Sequence, residues 1–123
     1  MPRTIRALRG ATTVERDDPI LIREGVQELL ETLLEDNDLT PLEVISAVFT
    51  ATPDLVSEFP AHAARLYGWD GVPLLCAHEL PVPGSLPRCV RVLLHVETSR
   101  PRNEMKHSYL REAILLRQDL LSD

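Results

Sequence analysis

The chain is 123 residues long and carries 19 acidic against 13 basic side chains, for a formal net charge of -6. This length suits one ordinary domain and is too short for a catalytic domain with a separate regulatory one. The acidic balance argues against nucleic acid or an anionic membrane as the main partner, since both are bound by basic surfaces. We therefore expect a single domain over residues 1–123.

The first predicted element is a strand from Thr4 to Thr12, in which Arg9 is embedded and Gly10 stands where a side chain would be unwelcome. Asp18 and Pro19 then supply an N-cap and a first helical residue, and apolar residues recur at helical spacing after them. We expect a helix from about Pro19 to Glu35 with an acidic outer face.

The middle of the chain predicts two strands and a helix. The apolar run from Val44 to Ala51 is typical of a strand covered on both faces. The segment from Ser57 to Tyr67 is predicted to be a short helix, with Gly68 just past its end. Residues Val72 to Glu79 then predict another strand.

A central strand is predicted from Arg88 to Thr98, where β-branched residues are frequent. Alternation gives this strand one wholly apolar face and places Arg91 on the other. A guanidinium inside a strand is costly to desolvate unless an anion meets it. That anion is either an internal carboxylate, the commoner case for a lone strand arginine, or a bound ligand.

The loop through Gly84 predicts a hairpin-like connection into this strand, which would set Cys76 and Glu79 beside Cys89 and Arg91. The stretch from Met105 to Leu121 predicts a short helix or turn, followed by a flexible tail from about residue 117. Together the elements predict an α+β fold with a single mixed β-sheet covered by two helices. Two helices leave apolar sheet uncovered, so we expect the subunits to associate.

Several kinds of site find little support in the sequence. No serine lies on a nucleophile elbow, and the single glycine of the Arg9–Thr12 segment makes no phosphate loop. The spacing of Cys76, His78, Cys89 and His95 matches no common zinc pattern, so we expect no metal site. Without an apolar N-terminal leader, the two cysteines predict free thiols in a cytoplasmic protein.

What remains is a set of arginines with few neighbouring acids, together with a tyrosine and one glutamate: Arg9, Arg65, Arg91, Arg117, Tyr109 and Glu79. Guanidinium groups match carboxylates with paired hydrogen bonds. The set therefore predicts a site for a small dicarboxylate.

The chain resembles the small, single-domain, trimeric chorismate mutases. The resemblance extends from the first predicted strand to Arg117. The stretches that carry the resemblance are Arg9–Glu15, Ala51–Leu55, Phe59–Ala61, Gly68-Trp69, Val72-Pro73 with Cys76 and Glu79, Cys89–Val92, His107 with Tyr109, and Leu116-Arg117. His62 and Leu75 stand where the family has a lysine and a threonine.

The resemblance implies an isomerase that rearranges chorismate to prephenate, without a cofactor, in phenylalanine and tyrosine biosynthesis. It implies a homotrimer whose sheets form a pseudo α/β barrel, with active sites at the subunit interfaces. By the resemblance, Arg91 and Glu79 are catalytic. The substrate-binding residues that it implies are Arg9, Phe59, Ala61, Arg65, Leu74, Leu75, Cys76, Tyr109, Leu116 and Arg117.

One alternative uses the same arginines. A trimeric module that binds small carboxylates, either without catalysis or with a deaminase-like topology, would also need a cluster of cations. Glu79 is the discriminating residue, because a receptor for carboxylates has no use for an acid in its pocket. An acid is useful, in contrast, in a site for a hydroxylated dianion that separates charge during its reaction.

Overall fold

A computed structural model describes residues 2–117. Five strands form one mixed sheet in the order β3-β2-β4-β1-β5. The strands span Thr4–Thr13 (β1), Val44–Ala51 (β2), Leu74–His78 (β3), Cys89–Thr98 (β4) and Ser108–Tyr109 (β5). Central β4 runs antiparallel to β1 and β2, while β3 and β5 lie parallel to β2 and β1 at the two edges. The predictions of a single mixed sheet and of a central strand carrying Arg91 are confirmed.

The long helix α1 spans Pro19–Asp36, one residue longer than predicted. The Asp18 carboxylate accepts hydrogen bonds from the Ile20 and Leu21 N–H groups, which would otherwise lack a partner at the helix start. The apolar side of α1 packs on the sheet. A Cβ atom at Gly10 of β1 would lie 2.7 Å from Leu33 Cδ1 of the helix. Gly10 is thus required by the close approach of α1 to β1.

The second helix, α2, spans Pro60–Ala64 and continues as a π-helical turn over Arg65–Trp69. The predicted start at Ser57 is wrong. Asp17 accepts hydrogen bonds from the Val56 and Ser57 N–H groups and holds them in a loop, so the helix begins at proline. Gly68, with φ of 110°, lies within the final turn.

The predicted hairpin between the third and fourth strands is wrong. Because α2 connects β2 to β3, β3 returns parallel to β2 and pairs with it along Leu74–His78. Strand β2 consequently lies between β3 and β4. Any contact from the end of β3 to Arg91 must therefore reach across β2.

Among the described residues, the two helices contact each other and one face of the sheet, and the opposite face is open over β2 and the adjoining part of β4. Val48 on β2 is 36% exposed and Leu93 on β4 is 37% exposed on that face. The prediction that β2 is covered on both faces is wrong for the isolated subunit, because two helices cover only one side of a five-stranded sheet.

Beyond β4 the chain forms a 3-10 turn over Arg102–Glu104, then β5, then a 3-10 helix over Arg111–Arg117. The predicted turn-like ending is confirmed, but β5 was missed because two residues are too short for an alternating pattern. Residues 118–121 of the predicted tail lie outside the described residues. Within the described part, no helix is long and apolar enough to cross a membrane.

Candidate active site

Arg91 lies in a row of paired residues that crosses the sheet. Thr50 on β2 and Ala11 on β1 are its register partners, and Ala11 is paired in turn with Tyr109 on β5. Paired residues point to the same face of a sheet. The polar groups of Thr50, Arg91 and Tyr109 therefore share the open face, away from the helices.

An open pocket of about 360 Å³ lies over this row. Arg9 joins it because it stands two residues before Ala11 and so points to the same face. Two guanidinium groups, a phenol and a hydroxyl thus meet apolar side chains in one concavity. The lining residues are Arg9, Gly10, Ala11, Val48, Thr50, Arg91, Val92, Leu93 and Tyr109.

Glu79 is the internal anion that meets Arg91. It follows β3 directly, and its Oε2 lies 3.0 Å from Arg91 Nε across the intervening β2. Thr50 Oγ1 donates a hydrogen bond of 2.6 Å to the same carboxylate oxygen. The internal-carboxylate interpretation of Arg91 is confirmed, although the route is across β2 and not through a hairpin.

The ion pair leaves a donor of Arg91 unused. Its Nε is buried yet makes no hydrogen bond to any described residue, because the contact with Glu79 lacks hydrogen-bond geometry. Arg117 Nε is likewise buried without an acceptor among the described residues. Two such guanidinium donors favour a ligand that brings its own acceptor oxygens.

The 3-10 helix brings Leu116 and Arg117 to Tyr109. Arg117 Cζ lies 5.0 Å from the centroid of the Tyr109 ring, a cation–π distance. Tyr109 and Leu116 also pack against a small apolar cluster that contains Ala11 and Cys89. The end of the described chain thereby closes one side of the Arg91 row.

Cys89 is buried in this cluster and does not suit nucleophilic chemistry. Burial raises the pKa of its thiol to about 11, although the nearby Arg91 opposes the shift. A thiol with this pKa is almost wholly protonated near neutral pH, and the thiolate is the nucleophile. The arrangement therefore favours electrostatic stabilisation over covalent catalysis.

A second group of predicted site residues lies apart from this pocket. Phe59 and Cys76 line a different cavity, of about 350 Å³, between the loop before α2 and the end of β3. Ala61 is buried in the core, whereas Arg65 and Leu75 are exposed and Leu74 is half-buried. Cys76 is in register with buried Phe49, so it faces the helices and not Arg91.

The single chain thus brings together Arg9, Glu79, Arg91, Tyr109, Leu116 and Arg117. It does not bring them together with the second group, whose members are Phe59, Ala61, Arg65, Leu74, Leu75 and Cys76. Sequence reasoning missed Thr50, which holds Glu79. A hydroxyl at an alternate position of a mostly apolar strand was the available signal. Among the described residues, no three His, Cys, Asp or Glu side chains are grouped to hold a metal ion.

Comparisons with known proteins agree on one family. The sequence profile described as chorismate mutase type I matches residues 5–120. A protein of Thermus thermophilus named chorismate mutase AroH is 52% identical over 119 residues, which are 96% of this chain and 98% of that protein. The protein of the same name from Bacillus subtilis (strain 168) is 44% identical over 117 residues, 94% of this chain and 92% of its own. A solved chorismate mutase from Clostridium thermocellum superposes with a TM-score of 0.87 at 44% identity, covering 89% of this chain and 97% of that one.

Proposed function

The chain belongs to the chorismate mutase type I family, and we propose that it performs the family's reaction in the pocket built around Arg91 and Glu79. The protein is an isomerase that converts chorismate to prephenate in aromatic amino acid biosynthesis. The observation that carries the site assignment is the contact of Arg91 with Glu79 on the open sheet face, in which the buried Arg91 Nε lies 3.0 Å from the carboxylate but makes no hydrogen bond to any described residue.

The rearrangement is unimolecular and needs neither a nucleophile nor a proton transfer. The protein must hold the dianion in a compact conformer and stabilise the charge that develops in the transition state. We assign to Arg91 the ether oxygen, which gains negative charge as its bond to carbon breaks. Glu79 accepts from the ring hydroxyl and balances the positive ring fragment.

The remaining polar residues bind the ground state. Arg9, Tyr109 and Arg117 hold the carboxylates, and the buried Arg117 Nε, which has no acceptor among the described residues, supports this role. Arg9 and Arg117 also lie near His107, where burial lowers the pKa and their positive charges lower it further. These positive charges favour a doubly negative substrate.

We also propose that the complete site forms between subunits of a homotrimer whose sheets make a pseudo α/β barrel. In a ring of three copies, the second group of one subunit would lie against the Arg91 pocket of the next. That group would supply Phe59, Ala61, Arg65, Leu74, Leu75 and Cys76. The uncovered apolar face and the separation of the two groups in one chain support this arrangement.

A cytoplasmic location is part of the same proposal. Cys76 and Cys89 are free cysteines in the structure. Free thiols are typical of proteins kept in a reducing compartment.

The carboxylate-receptor alternative is less well supported. Glu79 would repel the carboxylates of a simple anionic ligand, yet Thr50 and Arg91 hold it in the pocket. The function is tested directly by mixing the purified chain with chorismate and following the loss of its ultraviolet absorbance. Conversion to prephenate would support the enzyme, whereas tight binding without conversion would support the receptor.

Catalysis is expected to be independent of metal ions and nearly constant between about pH 7 and 9, because no group exchanges a proton with the substrate. Initial rates with and without a chelator, measured across this range, check the expectation. Strong inhibition by the chelator, or a solvent deuterium isotope effect on the chemical step, would contradict it.

Sedimentation equilibrium at micromolar concentration is expected to give three times the chain mass of 13.8 kDa. Leu93→Asp is expected to shift the protein toward monomer, because it puts a charge on the open apolar face. Leu42→Asp is the matched control, since Leu42 is 96% exposed in the 3-10 turn before β2. A wild-type protein that sediments as a stable monomer would overturn the trimer proposal.

A further inference from the structure

His107 makes a hydrogen bond that joins the two strands carrying Arg9 and Tyr109. Its Nδ1 lies 3.0 Å from the backbone nitrogen of Arg9 and accepts the N–H of that residue. The side chain is half-buried, directly before β5. An imidazole ring nitrogen thus takes the place of a backbone carbonyl at the end of the β1–β5 pairing.

The backbone cannot make this bond because Asn37 holds the preceding residue. Asn37 is buried at the C-terminus of α1, where its Oδ1 accepts from Lys106 N at 2.8 Å and its Nδ2 donates to Lys106 O at 2.9 Å. Both peptide groups of Lys106 are therefore turned toward α1. Regular pairing with β1 starts only at Ser108, opposite Gly10.

The pairing of β5 with β1 is short. It comprises two residues, followed by a backbone hydrogen bond of 2.9 Å from Leu110 N to Ala11 O. The His107 bond therefore stands on one side of the short pairing and the Leu110 bond on the other. Losing the His107 bond would leave the Arg9 N–H without this acceptor and loosen the start of the pairing.

We propose that His107 is a positioning residue, whose bond to the Arg9 backbone fixes Arg9 and Tyr109 relative to each other across the substrate pocket. The inference rests on the proposed assignment of Arg9 and Tyr109 to substrate binding. His107 acts through the backbone of β1 and needs no contact with substrate. Misplacement of binding groups by about 1 Å can cost roughly a hundredfold in rate.

The role requires His107 to be neutral, because a protonated imidazole has no acceptor. Burial is the largest cause that lowers its pKa, and the charges of Arg9 and Arg117 act in the same direction. The other titratable residues that line the pocket beside it, Arg6, His95 and Arg102, bring no negative charge. Protonation is therefore expected below the ordinary histidine value of about 6.5, where activity would fall.

The test compares His107→Ala with His107→Asn, whose Oδ1 takes the place of Nδ1 but does not titrate. His107→Ala is expected to lose about tenfold to a hundredfold in kcat/KM near neutral pH, and His107→Asn to recover most of that loss. The wild type is expected to lose activity in acid below the ordinary histidine pKa, while His107→Asn keeps its rate there. Circular dichroism checks that each variant is folded.

Arg9→Ala and Tyr109→Phe are measured alongside to separate this inference from the site assignment. If both lose activity while His107→Ala keeps the wild-type rate, the positioning role is wrong. The same conclusion follows if His107→Asn shows the acid loss of the wild type, a test that does not depend on the alanine variant folding. If Arg9→Ala and Tyr109→Phe both stay fully active, the proposed site itself is wrong.

Discussion

Arg91→Lys is expected to lower kcat by roughly a hundredfold to a thousandfold, the usual effect of removing one preorganised donor to an oxyanion, about 2.7 to 4 kcal/mol. Lysine keeps the positive charge but loses the planar fork, and with it the buried Nε donor, which lies 3.0 Å from Glu79 but makes no hydrogen bond to any described residue. The loss should fall on the transition state, because the ether oxygen gains its charge there. Steady-state kinetics with chorismate measure kcat and KM separately.

Arg16→Lys is the matched control, since Arg16 is exposed in the segment between β1 and α1. It is expected to leave both constants unchanged. If Arg91→Lys weakens binding and keeps the turnover rate, Arg91 only grips a carboxylate. That outcome would remove the electrostatic role assigned to this residue and favour the receptor alternative.

Glu79→Gln is expected to lower kcat by roughly a hundredfold. Glutamine can still accept the Thr50 hydrogen bond of 2.6 Å, so the local structure is kept. What is lost is the negative charge 3.0 Å from Arg91, which both orients the guanidinium and balances the positive ring fragment. The change therefore separates charge from shape more cleanly than truncation to alanine.

Turnover of chorismate and a binding titration, both measured on Glu79→Gln, distinguish the enzyme from the carboxylate receptor. A carboxylate receptor should bind its anion more tightly once the repelling acid is gone, whereas the enzyme should bind similarly and turn over slowly. Glu104→Gln, in the exposed 3-10 turn after β4, is the control and should behave as wild type. An undiminished kcat in Glu79→Gln would show that the carboxylate takes no part in the reaction.

Much of the fold follows from local sequence. The α1 helix is determined by a capping aspartate, a proline at the first position and a repeating apolar face, all of which act within a few residues. The alternation in β4 likewise determines that Arg91 lies opposite the buried face. The candidate site residues came from the resemblance to a known family. Such a resemblance depends on the order and spacing of short motifs along the chain, which can be read without the fold.

Tertiary structure decided which of those residues meet. Glu79 reaches Arg91 across β2, and Tyr109 reaches the row through a two-residue strand that pairs with β1. Neither contact can be read from the sequence, because strand order depends on how the α2 crossover and the connection into β4 pack, and not on propensity.

The sequence by itself determined α1, the four longer strands, the cationic residue set and the arginine that demands an anion. The tertiary structure decided that Glu79 is the anion that meets Arg91, and which face of the sheet is exposed. It also decided that His107 accepts a hydrogen bond from the Arg9 backbone. The physical reason is the separation along the chain over which each interaction acts. Caps, alternation and periodicity act between near neighbours, whereas the pairing of β1 with β5 joins residues nearly a hundred positions apart.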